Sequence, residues 1–286
     1  MADEDRDAYL RRLGLDAEPP SADALIRLHR AQVERVPYET LWIHTGQRWG
    51  VGLDESVERI ARRRRGGYCF HLNGAFSVLL EALGYRVARH VGGVHGPVPA
   101  TEDEMANHLV LTVTGLPSEE CPDGTWYVDA GLGDALHEPV PLAVGPFEQP
   151  PYTMRLDRIP GEVGDWHLTH DPSGGFAGMA WRSSSTTMDA FAAKHEWLST
   201  APESGFVRVL TVQRRDAAGV DVLRGCVLQR IGSGAAQADL TTGQELEDAL
   251  TDLFGMDLAD IEAATLAGLW DRMEREHERW VAAGRP

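Results

Sequence analysis

Apolar positions through the first 85 or so residues keep a helical spacing, most clearly in the stretch 64–84, RRGGYCFHLNGAFSVLLEALG. Phe76, Leu79, Leu80 and Leu83 stand at i, i+3, i+4 and i+7, the apolar stripe of an amphipathic helix. Gly84 sits where a helix stops, and Gly66-Gly67 gives a flexible entry. Upstream, Tyr9, Leu10, Leu13 and Leu15 form a short apolar patch. Ser21 reads as the N-cap of a helix carrying Leu25, Ile26, Leu28 and Val33, which ends before Pro37. A third helix starts near Asp54, carries Val57 and Ile60, and runs into the arginines at 62–65. That run reads as a solvated helix end, where cations meet the negative pole of the helix dipole.

From about residue 85 the period falls to two. Tyr85 to His90 alternates and is followed by Gly92-Gly93, and the segments 108–113 and 126–129 read as strands. Short segments punctuated by Gly and Pro continue to about residue 190, which predicts an antiparallel β unit, a barrel or a sandwich. The Pro-rich patch at 145–152 reads as a linker or long loop. The last third is mixed: 206–213 and 220–231 read as two strands, 245–254 and 260–280 as helices. The expected class is α+β.

Composition narrows the function. With 286 residues, 43% apolar and 25% charged, the chain has the material for a sizeable core. A net charge of −17 argues against non-specific binding to nucleic acid or to an anionic membrane surface. Arginine far outnumbers lysine, Lys194 being the only one. Cys69, Cys121 and Cys226 are far apart without C-x-x-C spacing, so neither a disulfide framework nor a metal site is suggested. The odd count fits a reducing compartment. The acidic start MADEDRD is not the pattern of a secretory signal, and no apolar run approaches the length of a membrane span. A cytoplasmic protein is expected.

Cys69 falls in or just before the first turn of its helix, where unpaired N–H groups and the dipole favour an anion and so lower a thiol pKa. A thiolate is the nucleophilic form of cysteine, so the position suits covalent catalysis. A base and an orienting acid are then needed. His108 opens the strand HLVLTV and Asp129 closes WYVD, with turn-forming residues between them. Antiparallel pairing of these strands would set His108 and Asp129 opposite each other on one face. A carboxylate there fixes one imidazole tautomer and stabilises its cation. His71 and His95 are competing bases, but His71 points away from Cys69 on a helix, and His95 sits in a Gly-Pro loop. The plain alternatives are a buried structural cysteine, a hydrogen-bonded strand histidine and a turn aspartate.

Six segments, in order, resemble the arylamine N-acetyltransferase family. They are VPYETL (36–41), RRGGYCFHLN (64–73), NHLVL (107–111), YVDAGLG (127–133), STAPESGFV (199–207) and LFGMDL (253–258). The resemblance implies a Cys-His-Asp triad on Cys69, His108 and Asp129 in a cysteine-protease-like core. It implies a helical bundle over 1–85 carrying the cysteine, a β-barrel over 86–190 carrying the histidine and aspartate, and an α/β lid over 191–286. It further implies acetyl-CoA as a co-substrate rather than a resident cofactor, approaching the turn of Gly131 and Gly133. The acceptor would be a small aromatic amine or hydrazine, in a pocket of Tyr38, Leu132 and Phe206. The chain departs from the family pattern in places: His71 replaces an acidic residue or Gln, Tyr38 and Leu132 replace frequent phenylalanines, and Glu39-Thr40 replaces Glu-Asn. The aromatic surface of the pocket is thereby changed.

The expected reaction is ping-pong acetyl transfer through an acyl-cysteine on Cys69. The alternative is an amide synthase of the same fold, which would join a long or polyketide acyl thioester, from an acyl carrier protein, to an aromatic amine. A cysteine hydrolase and a non-catalytic binding protein are further alternatives.

Overall fold

The computed structural model describes residues 1–159 and 163–285. The N-terminal stretch comprises α1 (Asp3–Leu13), α2 (Ala22–Arg35), β1 (Tyr38–Glu39), α3 (Leu41–His44), α4 (Leu53–Val57) and α5 (Cys69–Ala82). A π-helical turn, Glu58–Arg62, continues α4. Ser21 caps α2 as expected, its hydroxyl accepting the Ala24 N–H at 3.1 Å. The arginine run is only partly solvated. Residues 62–64 are exposed, but Arg65 is buried and its guanidinium bonds Asp260 at 2.8 Å. Helical spacing could not show that a distant segment covers this turn.

Eight strands follow: β2 (Arg86–His95), β3 (His108–Thr114), β4 (Trp126–Val128), β5 (Val140–Pro141), β6 (Gly145–Gln149), β7 (Tyr152–Arg158), β8 (Trp166–Thr169) and β9 (Gly178–Ser185). They form one antiparallel sheet in the order β5-β4-β3-β2-β9-β8-β7-β6. The sheet curls around a core of Val110, Tyr127, Met154, Leu168, Met179 and Trp181. Among the described residues no ladder joins β5 to β6, so the barrel does not close through hydrogen bonds. The stretch 145–152 is not a loop: it forms β6 and the turn into β7. As an edge strand, β6 tolerates Pro146, which has no N–H to give a ladder. The strand expected to end near Gly92-Gly93 runs on to His95. Both glycines are tightly packed, since an added Cβ would stand 2.9 Å from Val110 Cγ2 and 2.8 Å from Met105 Sδ.

The C-terminal part holds α6 (Ala192–Thr200), α7 (Gly205–Arg208), β10 (Thr211–Asp216), β11 (Gly219–Arg224), β12 (Val227–Gly232), β13 (Ala236–Asp239), α8 (Gly243–Asp248) and α9 (Ala263–Ala282). Phe206 thus lies in a helical turn ahead of its expected strand. The apolar run 220–231 is two strands, broken at Gly225, which takes φ +55°. The second sheet has the order β1-β10-β11-β12-β13. Its edge strand β1 comes from the N-terminal stretch, so a residue two positions after Val36 joins a sheet built about 170 residues later.

α5 packs into the first core with Tyr9, Leu25, Phe76 and Leu80, against Leu109, Leu111 and Val113 of β3. β3 is therefore covered on both faces, by helices through its odd positions and by the sheet core at Val110. No helix among the described residues is long and apolar enough to cross a membrane.

Candidate active site

Cys69 is the first residue of α5 and is 4% exposed. The residues before it are held from several directions. Glu39 N–H donates to Gly67 O at 2.9 Å. The fully buried Arg59 guanidinium bonds both Gly66 O and the Glu39 carboxylate. Arg12 reaches Arg65 O at 2.6 Å. The glycine pair that gives the entry its freedom is thus fixed by contacts from α1, β1 and the π-helical turn. The Sγ of Cys69 lies 3.6 Å from Asn107 O. Asn107 is itself clamped to β2, its side-chain amide donating to Val94 O at 2.9 Å and accepting Val94 N–H at 2.8 Å.

His108 follows on β3, buried, with Nε2 2.8 Å from Asp129 Oδ2. A carboxylate only accepts, so Nε2 carries the proton and the other ring nitrogen is left for Cys69. Burial by itself lowers the His108 pKa, but the charges of Asp129 and Cys69 and their hydrogen bonds outweigh it and raise the imidazole to about 10. The pair therefore favours imidazolium at His108.

Asp129 is 1% exposed and accepts four hydrogen bonds. Oδ1 takes Asn73 Nδ2 at 2.7 Å and Gly131 N–H at 3.0 Å. Oδ2 takes His108 and the Tyr127 hydroxyl at 3.0 Å. Asn73 also donates to Leu109 O at 2.6 Å and accepts Ala130 N–H at 2.9 Å. One side chain on the cysteine's own helix thereby ties the strands of His108 and Asp129 together. Neither Asn73, Tyr127 nor Asn107 was singled out from the residues alone. The signal was present: Asn73 is four residues after Cys69, on the same helix face, and Tyr127 is two before Asp129, on the same strand face.

His71 and His95 are not brought to the sulfur. His71 Nε2 bonds Gly50 O at 3.1 Å, and burial, then the nearby Arg59 and His195, hold its pKa well below the usual value. His95 bonds Gly96 O at 2.7 Å and His167 Nε2 at 2.9 Å.

Gly131 needs to be glycine because an added Cβ would fall 2.8 Å from Cys69 Cα and 2.9 Å from Asn73 Nδ2. Gly133 takes φ +77° and packs under Gln213 and Tyr38. Of the expected pocket residues, Tyr38 and Phe206 meet edge to face at 6.2 Å, and Tyr68 joins them 5.4 Å from Phe206. Leu132 instead packs into the core of the curled sheet. Tyr68, next to Cys69, has its hydroxyl on His195 Nδ1 and its ring stacked on Trp42. Trp42 and His195 line a cavity of about 650 Å³ between the loop after α3 and α6, and none of Cys69, His108 and Asp129 lines it.

The family model for N-acetyltransferases matches residues 21–263. An arylamine N-acetyltransferase of Mycolicibacterium smegmatis is 32% identical over 276 residues, covering 90% of this chain and 94% of its own. The structure of the Mycobacterium marinum arylamine N-acetyltransferase superposes with a TM-score of 0.82 at 26% identity, covering 94% of this chain and 99% of that one. The same enzyme in complex with CoA gives 0.81 at 26% identity, covering 93% and 98%. The chain is thus an enzyme that belongs to the arylamine N-acetyltransferase family.

Proposed function

We propose that the enzyme moves an acetyl group from acetyl-CoA to an aromatic amine or hydrazine, by a ping-pong route through an acyl-cysteine on Cys69. The observation that carries this reading is the buried His108–Asp129 hydrogen bond, with Cys69 at the start of α5 acting on the same imidazole. The M. marinum complex with CoA supports the donor, and the family name supports the acceptor.

The Cys69 thiolate attacks the thioester carbonyl carbon and a new C–S bond forms. The bond to the CoA sulfur breaks, and that sulfur takes the proton from the His108 imidazolium. The amine then attacks the acetyl carbon, His108 takes its proton, and the Cys69 sulfur leaves as thiolate, which restores the ion pair. The oxyanion of each step is met by backbone N–H groups beside Cys69 at the start of α5, where the His71 and Leu72 N–H groups are already taken by Tyr68 O. Aromatic amines and hydrazines suit the second step because their nitrogen is unprotonated near pH 7, whereas an alkylamine of pKa ~10.4 is not. In this reading the donor approaches the turn of Gly131 and Gly133. The acceptor ring packs against Tyr38 and Phe206, and residues 191–286 act as a lid over the bundle (1–85) and the curled sheet (86–190).

The test is intact mass after mixing with acetyl-CoA and no amine, with Cys69→Ala alongside. A gain of one acetyl group in the native enzyme only is expected. An unmodified native enzyme would overturn acetyl-CoA as the donor.

A further inference from the structure

We propose that Tyr127 is a positioning residue that sets the basicity of His108 through Asp129, an assignment that rests on the Cys69–His108–Asp129 reading above. The two oxygens of Asp129 are loaded differently. Oδ1 is held by two amide donors, Asn73 at 2.7 Å and Gly131 at 3.0 Å, which fix the carboxylate plane. Oδ2, the oxygen that faces the imidazole, is shared between His108 at 2.8 Å and the Tyr127 hydroxyl at 3.0 Å.

The hydroxyl is aimed by packing and not by the carboxylate alone. Tyr127 is fully buried, and its ring stacks on Trp181 at 4.9 Å and 16°. It can only donate to Asp129, because burial first, and then the carboxylate's own charge, hold its ionisation well above the usual range. A donor on Oδ2 draws off part of the negative charge that would otherwise hold the imidazolium. The consequence falls on the second half-reaction. In the free enzyme the Cys69 thiolate also stabilises the imidazolium. Once Cys69 is acylated that charge is gone, and Asp129 alone raises the His108 pKa. His108 must then be neutral to take the amine's proton, so the phenol keeps the base available at lower pH.

The titratable and charged groups around this arrangement are Cys69 on α5, Tyr68 before it, His29 on α2, Tyr38 on β1, Asp134 acting on Tyr38, and Arg215 on β10, which shares a small cavity with Tyr38 and Asp129. Burial holds His29 down at about 4 and both tyrosines up. None of these three changes charge in the range where the acyl-enzyme turns over, and Asp134, whose pKa burial raises, is the same in every variant, so the shift of the limb between variants reports His108.

The experiment loads the enzyme with acetyl-CoA, removes CoA, and follows loss of the acyl-enzyme to a fixed arylamine by quenched intact mass across pH 4.5 to 9. Tyr127→Phe, which keeps the stack, is expected to shift the rising limb up by about half a unit to one unit, a fraction of the strength of a hydrogen bond to a charged group. Its high-pH plateau should be retained. Trp181→Phe, which loosens the stack and keeps the hydroxyl, should leave the limb near its native position. Replacing the tyrosines biosynthetically by 3-fluorotyrosine, a stronger donor, should move the limb down, and it serves if Tyr127→Phe does not fold. An unchanged limb, or a rate lowered equally at every pH, overturns the assignment while leaving the triad intact. A native enzyme that never acylates removes both.

Discussion

His108 Nε2 lies 2.8 Å from Asp129 Oδ2, although the two residues do not face each other across the ladder. The pairing of β3 with β4 sets Leu111 opposite Val128 and Val113 opposite Trp126. One step further puts Asp129 across from Val110, and His108 across the other side faces Gly92 of β2. The expected opposition is therefore out by two residues. An even offset keeps both side chains on one face, and the diagonal gap is within reach of an imidazole and a carboxylate.

Asp129→Asn tests that contact. The amide offers Oδ2's place to a group that can donate, so the imidazole loses its tautomer and its cation loses its partner. Alkylation of Cys69 by iodoacetamide at pH 7, and acylation by acetyl-CoA, should slow roughly a hundred- to ten-thousand-fold. Unaltered rates in a folded variant would be incompatible with a working triad.

Gly131→Ala tests the approach of the turn to Cys69. The backbone there is ordinary, and the added Cβ meets Cys69 Cα at 2.8 Å and Asn73 Nδ2 at 2.9 Å. Neither neighbour is the free end of a flexible chain. We expect acyl-enzyme formation to fall at least about tenfold and stability to drop by about 1–3 kcal/mol, as overpacking does. Stopped-quench mass measurement and urea unfolding read the two effects separately.

Glu39→Ala tests the buried ion pair under the glycine entry. Both side chains are fully buried, and Arg59 also holds Gly66 O. Removing the carboxylate leaves an uncompensated guanidinium, which should cost about 3–5 kcal/mol in urea unfolding. Replacing both partners, Glu39→Leu with Arg59→Met, should cost less than the single change. A double variant worse than Glu39→Ala would mean that the pair's backbone contacts matter more than its charge.

The acid side of the stability curve should report His29. Burial lowers its pKa to about 4, and its Nδ1 sits 3.0 Å from His137 O. The unfolded chain, with an ordinary histidine near 6.5, takes up this proton first. Its contribution is therefore fully present above about pH 6.5 and is lost as pH falls towards 4, amounting to about 3 kcal/mol. His29→Gln should flatten the decline measured by urea unfolding between pH 7 and 4.5. An equal slope in both proteins would mean that other buried histidines, such as His71 and His44, carry it.

The sequence by itself determined the helix of Cys69, its Gly66-Gly67 entry, the Ser21 cap and the strands of His108 and Asp129. Each depends on a period or a cap read within a dozen residues, where hydrogen bonds and side-chain spacing are local. Only the tertiary structure decided what lies far along the chain. It set the two-residue offset of Asp129, because register comes from packing on both faces of β3. It turned Arg65 from a solvated cation into a buried anchor, since helical spacing says nothing about which segment covers a turn. It made 145–149 an edge strand and broke 220–231 in two at a glycine of positive φ. And it converged Asn73, Tyr127 and Gly131 on one carboxylate, because a buried charge has to find donors wherever the fold brings them.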